Sequence, residues 1–462
     1  MNSSYATSSP SPSKRSERQE VIRSINFNQD YTCLSVSTSN GYRIYSLRAA
    51  SSGSGRMVRS ASHATAATTA SSTVSGGSHS AAVSRSGGRD NVIELLHSTT
   101  VVQGNGTLIC QLLYCTSLIV VVYAKNPRLL SVEDASMNKV RCERAFETKI
   151  VRVELNRMRL VVLTADGMLH VFDLATMKLL SSIPVVASSN ATRLLSMNYS
   201  GVAGMFFKLS DRTNASGHSN WLVCRNVDML GSVKVYNAIS VKMENIVKAH
   251  VNEVAHMALG GSGSQGNTNE ILVTASCKGT IIRIFALPNC QELYSVRRGM
   301  SSSHIYSIAL DPCSRRLLVS SSTGTVHLFN IENKLQLEED DPDIPDSASS
   351  PVWCRSNSSA SIGRSQNRQG GNSSVEPTST VPYVKICLKS KIDKSSSRAQ
   401  RNMLAFLPGD YSTEDVAIIV NESGEVYSYA VGNMKPTPIS EDDLLLLTDK
   451  DTKGENGLVF DM

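Results

Sequence analysis

Two adjacent arginines, Arg297 and Arg298, close a strand-like run Tyr294-Ser295-Val296 and are followed by Gly299 and the serines Ser301, Ser302 and Ser303. Successive side chains of a strand point to opposite faces, so the pair cannot easily serve one small anion and instead suggests two neighbouring anion sites. Each guanidinium is a planar fork that pairs bidentately with phosphate or carboxylate. The surrounding residues fit the same chemistry. Upstream lie His250, then Thr274, Ser276, Gly279 and Thr280 within "TASCKGT", then Arg283. Downstream lie Ser321, Thr325 and His327 within "SSSTGTVH". Hydroxyls and glycine-turn backbone donors can converge on phosphate oxygens while arginine supplies charge and geometry. Taken singly, each piece is ordinary: serine and threonine before glycine are common turn residues, and a histidine in such a stretch is often a structural hydrogen-bonding group.

The elements that must position these residues recur along the chain. "LVVLTADGMLHVFDL" (160–174), "LVTASCKGTIIRIFAL" (272–287), "LLVSSSTGTVHLFNI" (317–331) and "VAIIVNESGEVYSYAV" (416–431) share one plan. Each is an apolar strand, a small-residue turn ending in glycine, and a strand alternating to an aromatic. Looser copies run from Leu34 to Leu47 and, with an interruption, from Trp221 to Tyr236. This predicts an all-β, seven-bladed β-propeller. With the polar tracts removed, the chain divides into seven units of about 46 residues or six of about 54, and the shorter unit lies nearer the blade period. Blades are expected to begin near residues 20, 107, 147, 190, 250, 303 and 400. Ring closure by an N-terminal strand or by residues 443–448 remains open at this level.

Several tracts cannot bury enough apolar surface to order themselves. The expected organisation is a disordered N-terminus over 1–18, a propeller over 19–435 with disordered insertions at 48–90 and 332–380, and an acidic, disordered tail over 436–462. The first insertion is built almost wholly of Ser, Ala, Thr, Gly and Arg; the second opens with an acidic cluster and turns serine-rich. It is expected to leave the sixth blade after its third strand and to return at 381–388 for the fourth.

Composition excludes several classes. The 462 residues are 41% apolar with net charge +6, too weak an excess to imply nucleic-acid binding, and no basic tail or basic-aromatic run accompanies it. Ten cysteines occur without CxxC spacing and read as small core residues in a reducing compartment. The N-terminus lacks an apolar signal core, and the longest strongly apolar run, 117–124, has strand length, so membrane contact is expected to be peripheral. No GxSxG elbow, HExxH pair or P-loop is present, and no cofactor or metal is expected. Gly261 to Gly266 fits GxGxxG, but another strand follows rather than a helix, so a hairpin loop is expected there.

The stretch 246–331, with "KAH", "TASCKGTIIRIFALPN", "LYSVRRGMSSSHIYSIAL" and "SSSTGTVHLFN", resembles the PROPPIN family, β-propellers that bind polyphosphoinositides. The likeness extends to "INFNQDYTCLSVSTSNGYRIYSL" and to residues 156–180, and so covers most of the ordered chain. It implies a non-enzymatic, cytoplasmic propeller associated peripherally with preautophagosomal, endosomal or vacuolar/lysosomal membranes. It also implies that a Phe/Leu-Arg-Arg-Gly motif binds phosphatidylinositol 3-phosphate or 3,5-bisphosphate at two sites, one arginine to each. Carried over, the first site takes Thr274, Ser276, Gly279, Thr280, Arg283, Arg297 and His250, and the second takes Arg298, Ser321, Thr325 and His327. Val296 stands where the family has Phe or Leu, a change expected to affect packing more than phosphate contacts. In the family the blade-six insertion enters the bilayer; here Trp353 is the sole aromatic of 332–380, which argues against deep insertion. Pro127 and Arg128 match a place where relatives engage the lipid-transfer protein of the autophagy machinery. Two rivals stand beside this reading: a protein-interaction scaffold without lipid binding, and a nucleic-acid-binding propeller with steep salt dependence.

Overall fold

The computed structural model describes residues 20–48, 92–100, 106–187, 205–211, 220–261, 270–331, 383–387, 401–407, 415–432 and 435–445. Among these, seven four-stranded antiparallel sheets follow one another, each built from four strands consecutive in sequence. The first comprises β1 (Ile22–Phe27), β2 (Cys33–Thr38), β3 (Gly41–Leu47) and β4 (Ile93–Thr100); the second β5 (Thr107–Leu112), β6 (Leu118–Tyr123), β7 (Leu129–Asp134) and β8 (Lys139–Ala145). The third holds β9 (Ile150–Leu155), β10 (Arg159–Thr164), β11 (Met168–Asp173) and β12 (Leu179–Pro184); the fourth β13 (Phe207–Leu209), β14 (Trp221–Arg225), β15 (Ser232–Asn237) and β16 (Lys242–Lys248). The fifth holds β17 (Val254–Gly261), β18 (Glu270–Ser276), β19 (Ile281–Leu287) and β20 (Glu292–Arg297); the sixth β21 (Ile305–Leu310), β22 (Arg316–Ser321), β23 (Thr325–Asn330) and β24 (Tyr383–Cys387). The seventh holds β25 (Asn402–Leu407), β26 (Val416–Asn421), β27 (Glu425–Ala430) and β28 (Thr437–Asp443). This is the blade repeat of a seven-bladed β-propeller. No helix among the described residues is long and apolar enough to cross a membrane.

The burial pattern explains the sequence pattern. β2, β10 and β26 are buried at every position, because both faces of a second strand are covered; they therefore read as near-continuous apolar runs. The fourth strands β8, β12, β16 and β28 are mostly exposed, as outermost edges are, and are correspondingly polar. Between them the turns repeat: Gly167, Gly279, Gly324 and Gly424 each donate a backbone N–H to the carbonyl three residues earlier and take positive φ.

Two compact units can be separated, one of residues 1–145 with 405–462 and one of 146–404. In the first, side chains of the first sheet bond the backbone of the second: Ser24 Oγ to Leu108 O (2.8 Å), Asn26 Nδ2 to Cys110 O (3.2 Å) and Gln29 Nε2 to Leu112 O (2.8 Å). Leu444 is fully buried there, and its carbonyl accepts the Tyr45 hydroxyl at 2.8 Å. The described part of the C-terminal segment thus reaches the first sheet through side-chain bonds from Arg43 and Tyr45. In the second unit, Arg159 Nε and Nη2 each donate at 2.7 Å, to Ala238 O and Ile239 O, and Glu154 accepts the Leu209 N–H at 2.8 Å. Apolar clusters fill the space between neighbouring sheets of this unit, the one between the fifth and sixth including Ile282, Val296, Ile305 and Phe329.

Some expected boundaries need correction. The acidic tail expected to be disordered from 436 contributes strand β28, whose polar composition suits an outermost strand with one paired edge. The first sheet takes its fourth strand, β4, from beyond the first expected insertion. The fourth blade's first described strand starts at Phe207 rather than near 190. Residues 1–18, the expected insertions at 48–90 (apart from Arg48) and 332–380, and the rest of the tail from 446 lie outside the described residues.

Gly231 illustrates how tightly the connectors pack. Its φ is +72°, and a Cβ there would lie 2.0 Å from the His250 carbonyl oxygen and 2.6 Å from that of Asn252. Gly231→Ala is therefore expected to destabilise the protein by about 2 kcal/mol or more, read as a lowered urea midpoint; an unchanged midpoint refutes this packing.

Candidate functional site

The chemistry-bearing residues gather at the ends of the fifth and sixth sheets. Within the fifth, Thr274 on β18 lies directly opposite Arg283 on β19, and Arg283 opposite Ser295 on β20. Directly opposed residues share a face, and so do residues two apart on a strand, which brings Thr274, Ser276, Arg283 and Arg297 to one side. That side meets the connector from the fourth sheet. His250 Nε2 lies 3.0 Å from Thr274 Oγ1, and Arg283 Nη1 donates to the Ala249 carbonyl at 2.6 Å. Arg283 Nε also lies 3.4 Å from Glu292 Oε1, both side chains being partly exposed. Arg297 is exposed, its Nη1 4.0 Å from Met300 Sδ.

Alternation along β20 sends Val296 and the residue after the strand, Arg298, to the other side. Val296 is 1% exposed in the cluster shared with the sixth sheet, so the substitution noted above concerns packing, as expected. Arg298 is buried at 5% exposure. Its backbone N–H donates to Thr280 O at 2.9 Å, its Nε to Gly279 O at 2.5 Å and its Nη2 to Ser301 O at 2.7 Å. Gly279 is required in this arrangement: its φ is +59°, and a Cβ would lie 1.9 Å from the Ser303 carbonyl oxygen. On the sixth sheet Ser321 pairs with Thr325 across β22 and β23, and His327 follows two residues on along the same face. Hydroxyls chain together, Ser321 to Thr323 and Thr323 to Thr325, each at 2.9 Å.

The electrostatics are distinctive. Among the described residues neither Arg297 nor Arg298 is ion-paired; Arg298 is held by neutral carbonyl oxygens alone. Burial lowers the pKa of Arg298 from its ordinary value without changing its charge at neutral pH. His250 is pushed down to about 4, by burial first and then by the Arg283 charge. His327 is likewise pushed down to about 4, by burial and then by Arg298 and Lys385. Both imidazoles are therefore neutral at pH 7, and each faces cations. An anion of phosphate type matches this donor set: hydroxyls, imidazole N–H and guanidinium N–H.

Every residue expected at the two sites is described; Thr274, Ser276, Arg283 and Arg297 gather on one side of the fifth sheet with His250, whereas Gly279 and Thr280, expected with them, accept hydrogen bonds from Arg298 on the other. Sequence reasoning missed Lys385, which stands opposite His327 on β24, because the insertion of uncertain length hides its register. It also left out Ser303 and Ser322, whose hydroxyls lie 2.9 Å apart between the two sheets. Gly261 and Glu270 pair as the ends of the antiparallel strands β17 and β18, so a strand follows the GxGxxG match, whose residues 262–266 lie outside the described residues. Pro127 and Arg128, in the other unit, form the turn between β6 and β7, with Arg128 exposed and its N–H 3.4 Å from Asn126 Oδ1.

The profile of the family described as PROPPIN matches residues 92–352, more than half of the chain. Autophagy-related protein 18 of Yarrowia lipolytica is 30% identical over 321 residues, covering 68% of this chain and 67% of that protein. The protein of the same name from Aspergillus fumigatus is 34% identical over 272 residues, covering 58% of each. Among solved structures, Kluyveromyces lactis Hsv2 superposes with TM-score 0.57 at 16% identity, covering 92% of this chain and 100% of its own. The complex of KlAtg21 with the coiled-coil of AgAtg16 gives TM-score 0.54 at 19% identity, covering 92% and 99%. At these identities the structures speak for the all-β propeller fold.

The histidines give a testable pH dependence. Each has a folded pKa of about 4, below the ordinary 6.5, so the unfolded chain binds its proton first. Their contribution to stability is full above pH 6.5 and is lost as pH falls toward 4, on the order of 3 kcal/mol for each. The urea midpoint should drop more steeply between pH 7 and 4.5 for the wild type than for the His250→Gln, His327→Gln variant. Parallel profiles would contradict the assignment.

Proposed function

The chain belongs to the PROPPIN family, and we propose that it is a peripheral membrane propeller whose two arginine sites bind phosphatidylinositol 3-phosphate or its 3,5-bisphosphate. In the family this is a non-enzymatic lipid-binding scaffold, and the reading extends to recruitment of proteins during autophagosome formation. The observation that carries it is Arg298, a buried guanidinium without a carboxylate partner, beside the hydroxyl face of Ser321 and Thr325 and the neutral His327. A headgroup phosphate supplies the missing negative charge. The first site repeats the logic with His250, Thr274, Ser276, the Gly279–Thr280 turn, Arg283 and Arg297, where phosphate competes with the partly exposed Glu292.

Magnitudes favour two defined pockets over diffuse attraction. Between residues 271 and 330 six basic residues face two acidic ones, a net of +4. At about 1 kcal/mol per basic charge near an anionic leaflet this gives about 4 kcal/mol, a dissociation constant near 1 mM. Two headgroup sites on one rigid support make the second binding event intramolecular and strengthen attachment by about a hundredfold or more. Apolar contact adds to this. Val251 and Met300, 82% and 86% exposed, have the greatest exposure among the large apolar side chains described, and they sit next to His250 and Arg297. Apolar residues flanked by basic ones suit the headgroup boundary of a bilayer. The protein is then cytoplasmic and bound to preautophagosomal, endosomal or vacuolar/lysosomal membranes. Its exposed Arg128 turn, with Pro127, offers a contact for a lipid-transfer protein, and the KlAtg21 complex adds a coiled coil as a second class of partner.

Flotation with liposomes carrying phosphatidylinositol 3-phosphate, its 3,5-bisphosphate, its 4-phosphate or phosphatidylserine tests the lipid reading. The wild type should float selectively with the first two. Arg297→Thr, Arg298→Thr, with folding verified, should bind at least about tenfold more weakly. Val251→Ser, Met300→Ser should float poorly yet retain soluble inositol 1,3-bisphosphate. Equal flotation of wild type and arginine variant would discard the two arginine sites, and no flotation of either would leave a protein-interaction scaffold; retention on RNA alone would favour the nucleic-acid reading. Separately, Arg128→Glu should abolish capture of a lipid-transfer partner while flotation persists, and unchanged capture would remove Arg128 from that role.

A further inference from the structure

A second reactive place lies where the turns of the first and second sheets meet, within the unit formed by 1–145 and 405–462. Cys33 opens β2 and is buried, while Cys115 lies exposed in the turn between β5 and β6. Their sulfur atoms are 3.9 Å apart, across a sequence separation of 82 residues. The surroundings of Cys115 are polar: Thr32 Oγ1 lies 2.9 Å from its sulfur and Asn28 Nδ2 3.9 Å. We propose that Cys115 and Cys33 form a site of reversible oxidation, in which a peroxide oxidises the exposed thiolate and the buried thiol resolves it to a disulfide joining the first two sheets.

The order of events follows from the environment. The hydrogen bond from Cys33 lowers the Cys115 thiol from its ordinary value, with Thr32 and Asn28 assisting and burial and the Asp30 carboxylate opposing. The same bond, together with burial, holds Cys33 protonated well above the ordinary thiol range. Cys115 is therefore the more acidic of the two thiols and the accessible one, and a thiolate is the nucleophile. Its sulfur attacks one peroxide oxygen; the S–O bond forms, the O–O bond breaks, and hydroxide leaves and takes up a proton as water. Cys115 is then a sulfenic acid, and the negative charge that pinned the Cys33 proton is gone. The Cys33 sulfur, losing that proton to the departing oxygen, attacks the Cys115 sulfur; the S–S bond forms, the S–O bond breaks and a second water leaves. Two thiols have been oxidised by two electrons and one peroxide reduced to two waters. A dithiol reductant reverses the bond by exchange. Closing the sulfurs to about 2.05 Å asks a movement of about 2 Å, concentrated in the exposed turn that carries Cys115.

Among the described cysteines the others offer no such pair. Cys110 and Cys224 are buried and their thiols are pushed up by burial, and Cys277 lies 3.7 Å from a Glu253 oxygen.

The test uses the full chain, reduced and then treated with hydrogen peroxide at pH 7, blocked with N-ethylmaleimide and mapped as unreduced peptides by mass spectrometry. The expected product is a peptide pair joined through Cys33 and Cys115 and released by dithiothreitol, with the protein still monomeric on a non-reducing gel. The oxidised form should unfold at a higher urea concentration, since the bond restrains the unfolded chain. In Cys33→Ser, Cys115 should be captured as a sulfenic acid by a cyclic 1,3-diketone; in Cys115→Ser, Cys33 should stay reduced. The proposal is overturned if both thiols remain open to N-ethylmaleimide after peroxide, or if Cys115 passes to sulfinic acid while Cys33 stays free. The wild-type peptide map decides the matter even where a variant fails to fold.

Discussion

Each sheet of this protein has inner strands covered on both faces, and the placement of polar groups answers to that constraint. A doubly covered strand must be apolar at consecutive positions, as Leu160 to Leu163 and Leu317 to Val319 are, with relative exposure of zero. Some polar side chains inside are met by a neighbouring backbone, as Cys110 O accepts both Asn26 and Ser35. Charged chemistry is therefore driven to strand ends and to the connectors between sheets. The candidate site lies there because that is where the fold leaves room for it.

The same pleat that fills the core divides the site. Val296 and Arg298 face the sixth sheet, Ser295 and Arg297 the connector from the fourth, so one short strand end serves two junctions. Burying Arg298 costs desolvation, offset in the unliganded protein by hydrogen bonds to Gly279 O and Ser301 O, yet neither acceptor carries a full charge. Its guanidinium keeps donors to spare, since two of about five N–H groups are engaged through Nε and Nη2. His327 stays neutral beside it, avoiding a second buried cation. A junction built from one permanent cation and neutral donors is pre-arranged for an anion that arrives with its own charge.

The junction of the first two sheets works with other material. There the turn of one sheet places a hydroxyl and a thiol against the thiol of the next, and the close approach polarises the pair. Both places show one rule: neighbouring sheets of similar backbone produce distinct chemistry according to which side chains their turns bring together.

The sequence by itself determined the repeat. The apolar strand, the glycine turn at positive φ and the alternating strand are local features with a local physical cause, so the blade count and most blade starts were legible, as were the arginine pair and its hydroxyls. The acidic residues of β28 misled the reading because an outermost strand is paired on one edge and solvated elsewhere, and its composition is close to that of an unstructured tail. Other features were decided by tertiary structure alone. The ion-pair-free burial of Arg298, the depressed histidines, Lys385 opposite His327 and the contact of Cys33 with Cys115 join residues separated by tens of positions. Their chemistry arises from desolvation and from distances across sheets, and neither is encoded in the spacing of residues along the chain.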